Sequence, residues 1–326
     1  MEDKFVPKPW IRDPHAQTIL GCVKMRAWGR HPMIERAKQM IIEAGDGVRL
    51  LGYYSQQSSR RSRGLIALIH GWEGSSDSTY VLSTGKYFYE KGYDIFRLNL
   101  RDHGDSHHLN EGLFHGALIE ETFQAVQSIS RLFENKPYHV IGFSLGGNFA
   151  LRVAVRHSFS EVPNLKQVIA VSPPLDPYKA TLSIDESLSI YRYYFLNKWK
   201  RSLRQKQLLF PDRYDFGDIL KVRTCMGLTE AIMPYFPDFK TYREYFDQYT
   251  LRQDFFSGLA VPVTIIASHD DPIVSIVDIR ALKETEHLRF SLQTYVGHCG
   301  FIDFFPFRCW YEGEIERILR RSEETP

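Results

Sequence analysis

The chain has 326 residues, with 41 basic and 39 acidic side chains and a net charge of +2. Charge so close to balance excludes a protein that holds nucleic acid by its bulk electrostatics, and 43% hydrophobic with 25% charged residues excludes a disordered chain. The length suffices for one large core or two modest ones, and no run reaches the roughly 18 apolar residues of a membrane span.

The first residues, Met1-Glu2-Asp3-Lys4-Phe5-Val6-Pro7, show no apolar leader region. The four cysteines (Cys22, Cys225, Cys299, Cys309) have no C-x-x-C spacing, so free thiols in a reducing cytoplasm are expected. Residues 1–37 carry Pro7, Pro9, Pro14 and Pro32 and read as an irregular arm packed on the core. Gln39–Ile42 and Val48–Tyr54 flank the turn Gly45-Asp46-Gly47 and predict a hairpin. The basic stretch Ser58–Arg63 reads as an exposed loop.

From Leu65 short apolar runs alternate with helical segments. Strands are predicted at Leu65–Ile69, Asp94–Leu100, Tyr138–Phe143, Val168–Val171, Val263–Ala267 and Phe290–Thr294. Helices are predicted over Tyr80–Lys91 and Ile119–Phe133, and from about Trp310 to the C-terminal end. Strand–helix alternation with doubly buried strands implies a mostly parallel sheet flanked by helices. The alternation breaks at residues 173–260, an aromatic-rich stretch without strand character. This predicts a helical cap inserted between two parts of one core, residues 38–172 and 261–326.

Gly142-Phe143-Ser144-Leu145-Gly146-Gly147 directly follows a strand and precedes a helical run expected to start at Gly146. This G-x-S-x-G pattern resembles the nucleophile elbow of α/β-hydrolases. The chain turns so sharply at Ser144 that only glycine at Gly142 and Gly146 leaves room. A serine hydroxyl needs a base within hydrogen-bond reach, and the base needs a group that fixes its tautomer. His298, between Val296-Gly297 and Cys299-Gly300 past the last strand, fits the base. Past the strand at Val263–Ala267, Asp271 beside Pro272 fits the acid, with Asp270 as the alternative. Two backbone N–H groups must await the oxyanion. Leu145 follows the nucleophile, and Trp72 lies in the His70-Gly71-Trp72-Glu73-Gly74 loop after Leu65–Ile69.

These motifs, with Asp13-Pro14-His15-Ala16-Gln17-Thr18 in the arm and Arg97–Gly104, resemble those of the YheT-like family of α/β-hydrolases. That family includes related animal α/β-hydrolase-domain lipases and esterases, and its arm more often has Asn where this chain has Asp13. The resemblance implies the α/β-hydrolase fold. It also implies hydrolysis of carboxylic esters by Ser144, Asp271 and His298. The aromatics of the cap predict that the small-molecule substrate is an apolar or lipid-like ester, and no cofactor and no nucleic-acid partner are expected.

Other features have competing readings. Asp102–His108, with His115 nearby, has ligand-like spacing, but its place after a strand favours a pocket wall over a metal site. His15 and Gln17 read as anchors of the arm. The basic run Asn197–Lys206 reads as a solvated helix face, the alternative being a helix that meets anionic lipid, as in a phospholipase or acyltransferase at a membrane. A non-catalytic ligand binder on the same fold is the remaining rival.

Overall fold

A computed structural model describes residues 4–27, 29–58, 62–133, 135–303 and 309–324. Residues 59–61 of the basic stretch lie outside the described residues, as do residues 1–3 of the arm. Among the described residues one eight-stranded sheet forms the framework, in the order β1-β2-β4-β3-β5-β6-β7-β8. The strands are β1 (Lys38–Glu43), β2 (Arg49–Ser55), β3 (Leu65–Ile69), β4 (Asp94–Leu98), β5 (Tyr138–Phe143), β6 (Leu165–Val171), β7 (Val263–Ser268) and β8 (Leu288–Gln293). β2 pairs antiparallel with both β1 and β4, and every pairing from β4 onward to β8 is parallel.

The arm is more ordered than its prolines suggest. It contains α1 (Pro14–Gly21) and α2 (Pro32–Glu35). In each the proline opens the helix, where its missing N–H costs nothing. The preceding side chain caps it: Asp13 Oδ1 accepts from Ala16 N–H at 2.8 Å, and His31 Nδ1 from Met33 N–H at 3.1 Å.

Period-two alternation sends successive strand side chains to opposite faces. Ile66, Leu68, Ile141 and Phe143 pack on one side with Val81 and Phe88 of α3 (Thr79–Glu90). Leu65, Ala67, Ile69 and Val140 pack on the other with Phe123 and Val126 of α4 (Ile119–Leu132) and Phe149 and Val153 of α5 (Leu145–His157). Burial on both faces explains why these strands read as continuous apolar runs.

Between β6 and β7 the chain runs through α6 (Pro177–Glu186), α7 (Ser189–Leu209), α8 (Cys225–Ile232) and α9 (Tyr242–Asp247). The short α10 (Ile276–Arg280) and the final α11 (Trp310–Glu324) complete the layers. No helix among the described residues is long and apolar enough to cross a membrane.

The run Asn197–Lys206 in α7 is not a solvated face. Asn197, Arg201 and Arg204 are exposed, but Leu203 and Lys206 are buried. Lys206 Nζ donates to Asp102 Oδ1 at 2.7 Å, to the Asn110 carbonyl at 2.6 Å and to the His107 carbonyl at 3.3 Å. Asp102 also accepts from Phe114 N–H at 2.9 Å. Burial pushes the Lys206 ammonium down and the Asp102 carboxyl up, while each stabilises the other's charge. Removing one partner leaves a buried charge alone. Lys206→Met is therefore expected to lower stability by about 3 kcal/mol, and adding Asp102→Asn should recover part of the loss, as read from denaturant midpoints.

Candidate active site

The loops after β3, β5, β7 and β8 meet at the carboxyl edge of the parallel strands, where ligands of open α/β sheets bind. The elbow depends on contact distances that admit no side chain. A Cβ on Gly142 would lie 2.0 Å from the Gly146 carbonyl oxygen, and one on Gly146 would lie 2.3 Å from that of His70. Ser144 sits between them at φ 51° and ψ −121°, and α5 starts immediately after it, one residue earlier than the sequence suggests. Serine before a helix ordinarily caps the free N–H groups. Here its side chain makes no capping bond, and the hydroxyl turns toward His298.

His298 Nε2 stands 2.9 Å from Ser144 Oγ, and His298 Nδ1 stands 2.8 Å from Asp271 Oδ2. A carboxylate accepts, so Nδ1 carries the proton and Nε2 is left to accept from the hydroxyl. The second oxygen, Asp271 Oδ1, accepts from the N–H groups of Ile273 and Val274 at 2.8 and 2.9 Å. Asp270 does other work: its Oδ1 accepts from Val296 and Gly297 N–H, both at 3.0 Å, and so holds the histidine loop. The two neighbouring carboxylates are thereby separated in role by geometry. Burial disfavours the His298 imidazolium, but the Asp271 carboxylate overrides it and holds the group well above its ordinary value.

Trp72 and Leu145 both line the cavity that contains Ser144. Leu145 is the first residue of α5, so its N–H has no acceptor within the helix. The Trp72 loop is held on every side. Gly71 N–H donates to Tyr80 Oη at 2.9 Å, and Glu73 N–H donates to His103 Nε2 at 3.2 Å. His103 Nδ1–H in turn donates to the Arg101 carbonyl at 2.6 Å. His70 is fixed the same way, Nδ1–H donating to the Gly71 carbonyl at 2.8 Å and Nε2 accepting from Leu100 N–H at 3.1 Å. Burial keeps both rings neutral, His70 being pushed down to about 4 and His103 well below its ordinary value. The histidines near Asp102 thus brace loops. No group of three or more His, Cys, Asp or Glu side chains among the described residues is arranged to hold a metal ion.

Sequence reasoning missed several supports. Thr18 Oγ1 accepts from His298 N–H at 2.8 Å while donating to the Pro14 carbonyl at 2.7 Å. The arm therefore holds the His298 loop directly. Gln17 joins the arm to the last loop through the Ile11 and Ile302 carbonyls and Ile302 N–H. His15 Nδ1 lies 2.9 Å from Tyr191 Oη, linking the arm to α7. The Asp-Pro-His-Ala-Gln-Thr motif marked this contact, but a single hydroxyl reaching across 280 positions leaves no local pattern.

Two cavities meet at Ser144, Trp72, Phe195, Ile273 and His298. The first runs beneath the inserted helices, past Ala180, Ile184, Ile232, Phe236 and Phe246, and no Lys, Arg, Asp or Glu lines it. The second lies between the arm and α7 and is lined by Thr18, Lys24, Ser75, Asp77, Tyr191 and Lys198 among others. The cysteines are free; Cys22 and Cys299 border this second cavity.

Residues 64–305 match the family described as the alpha/beta hydrolase fold. Among curated proteins, YheT of Escherichia coli (strain K12) is 22% identical over 306 residues, covering 92% of this chain and 87% of that protein. The monoacylglycerol lipase of Saccharomyces cerevisiae is 23% identical over 334 residues, covering 95% of this chain and 72% of that one. Among solved structures, the Pyrococcus furiosus esterase Pf2001 superposes with a TM-score of 0.57 at 17% identity, over 90% of this chain and 96% of that one. The match over residues 64–305, on a sheet of this order with the elbow at its carboxyl edge, shows that the chain belongs to the alpha/beta-hydrolase fold family.

Proposed function

We propose that the protein is a serine hydrolase that cleaves carboxylic esters of apolar acids, of the YheT-like kind. The observation that carries this reading is the unbroken series Asp271–His298–Ser144, at 2.8 and 2.9 Å, at the junction of the two cavities. The monoacylglycerol lipase and esterase names of its relatives agree with it.

His298 Nε2 takes the Ser144 proton as Oγ bonds to the ester carbonyl carbon, and the carbonyl π pair moves onto oxygen. The Trp72 and Leu145 N–H groups, with the N-terminus of α5 behind them, receive that oxyanion. Collapse re-forms the carbonyl and breaks the carbon–oxygen bond to the alcohol, which takes the proton from His298. Water then repeats the sequence on the acyl-serine, releasing the acid. The uncharged cavity beneath the inserted helices takes the acyl group, because apolar surface gains most where no charge must be desolvated. The inserted stretch, residues 173–260, serves as the cap that supplies this cavity. The four free cysteines agree with a cytoplasmic location.

A fluorophosphonate probe is expected to label the parent protein at Ser144, and Ser144→Ala should abolish labelling and lower ester turnover by about 10⁴-fold or more. A parent protein that stays unlabelled would leave a non-catalytic binder as the better reading.

The acid limb of activity follows from His298. The base must be neutral, and its raised pKa keeps the proton on to higher pH. Activity should therefore rise with pH, with the midpoint of kcat/KM above the ordinary histidine value. Asp271→Asn removes the carboxylate that opposes burial. The residual activity, about 10⁴-fold lower, should show its midpoint shifted downward in a pH profile.

A further inference from the structure

The two cavities at Ser144 differ in charge, and that difference constrains the alcohol half of the substrate. Lys198 of α7 lines the second cavity together with Ser144 and His298. Its Nζ donates to the Glu73 carbonyl at 2.9 Å and lies 4.7 Å from the centre of the Tyr194 ring. An ammonium has three protons to donate, and no carboxylate among the described residues forms an ion pair with this one. Two acidic side chains bear on this part of the cavity, and neither pairs with Lys198. Asp77, on the same cavity wall, is bound to Arg97 at 2.8 Å. Burial pushes the Glu73 carboxyl up to about 8, so it is largely protonated at neutral pH despite Lys198. Lys24 adds a second, exposed cation to the rim. The cavity therefore holds net positive charge beside a proposed catalytic histidine, whereas the acyl cavity holds none.

We infer that the second cavity binds the alcohol portion of an ester that carries an anionic group, and that Lys198 is its specificity-determining contact. This rests on the hydrolase reading above. The class of substrate is an apolar acyl ester of a phosphorylated or otherwise acidic alcohol, the anion lying beyond the ester oxygen. Lys198 also steadies the Trp72 loop through Glu73, so a loss of rate alone would not distinguish recognition from support. The ratio between two substrates does, because loop support acts on both alike.

The test compares the octanoyl ester of glycerol phosphate with the octanoyl ester of glycerol. Each is assayed below its micellar concentration and again in neutral detergent micelles. The parent protein is expected to favour the phosphate ester by about tenfold in kcat/KM, mostly through KM. The preference should shrink at about 0.5 M salt, because Lys198 is only partly buried. Lys198→Gln should bring the ratio to about one, and Lys198→Arg should keep most of it. A preference in both monomeric and micellar assays identifies the anion itself as the recognised group, whereas one that arises only with micelles assigns it to the lipid surface and overturns the proposal. A parent ratio at or below one, or a ratio unchanged by Lys198→Gln, also overturns it. Failure to hydrolyse either ester, together with absent fluorophosphonate labelling, would instead sink the hydrolase reading.

Discussion

The close packing of Gly146 against the carbonyls of Ile69 and His70, 2.4 and 2.3 Å from where a Cβ would stand, governs the rest of the carboxyl edge. It joins the end of β3, the end of β5 and the start of α5 at a spacing that a single methyl group would break. Ser144 reaches its left-handed conformation because these three pieces leave its backbone nowhere else to go. Its N–H is taken by the Val171 carbonyl at 2.8 Å, and its own carbonyl accepts from Gly147 and Asn148. Strain of this kind persists only where the surroundings over-determine it. Glu73 and Cys299, next to the Trp72 and His298 positions, also adopt positive φ. The backbone is thus strained at Ser144 and beside both Trp72 and His298.

The proposed mechanism requires donors that stay in place while charge develops, since reorganisation during the reaction would consume the benefit. The buried histidines meet that need by not titrating. A neutral imidazole offers one donor and one acceptor a fixed distance apart. His70 spans Gly71 and Leu100, and His103 spans Arg101 and Glu73. Burial holds both below the range in which protonation would destroy their acceptor side. The loop bearing Trp72 is thus cross-braced by groups whose hydrogen-bonding pattern does not change near neutral pH.

The sequence was most legible where one physical requirement dominates. Doubly buried strands are mostly apolar, so Leu65–Ile69 and Tyr138–Phe143 could be placed to the residue despite the buried His139. The elbow needs glycine on both sides of Ser144, and chain order singled out an acid after β7 and a histidine after β8. Legibility failed where two requirements share one residue type. Proline marks both a break and a helix start, which hid α1 and α2 until their caps were seen. Lysine serves water, a buried carboxylate or a carbonyl, so Asn197–Lys206 gave no sign that Lys206 points inward. Asp270 and Asp271 are chemically identical neighbours. Only the turn at Pro272, which gives Asp271 the Ile273 and Val274 N–H groups, separates their tasks.

The inserted helices belong to this rigid edge as well. Along one face of α7, Phe195 stacks on Trp72 at 5.1 Å and 13°, and Trp199 meets the same ring edge-on at 5.1 Å. Lys198 grips the Glu73 carbonyl, and Lys206 enters the pocket made by Asp102 and two carbonyls. From Phe195 to Lys206 a helix rises roughly 16 Å, so the anchors are spread along its length. Rotating α7 to relieve one would strain the others. The buried Lys206–Asp102 pair adds little net stability relative to an apolar contact, yet breaking it is costly. That asymmetry suits a fixture: the pair resists displacement of α7 more than it stabilises the fold. Because the same helix walls both cavities and touches the Trp72 loop, α7 shapes both cavities and, with Tyr80, His70 and His103, fixes the position of that loop.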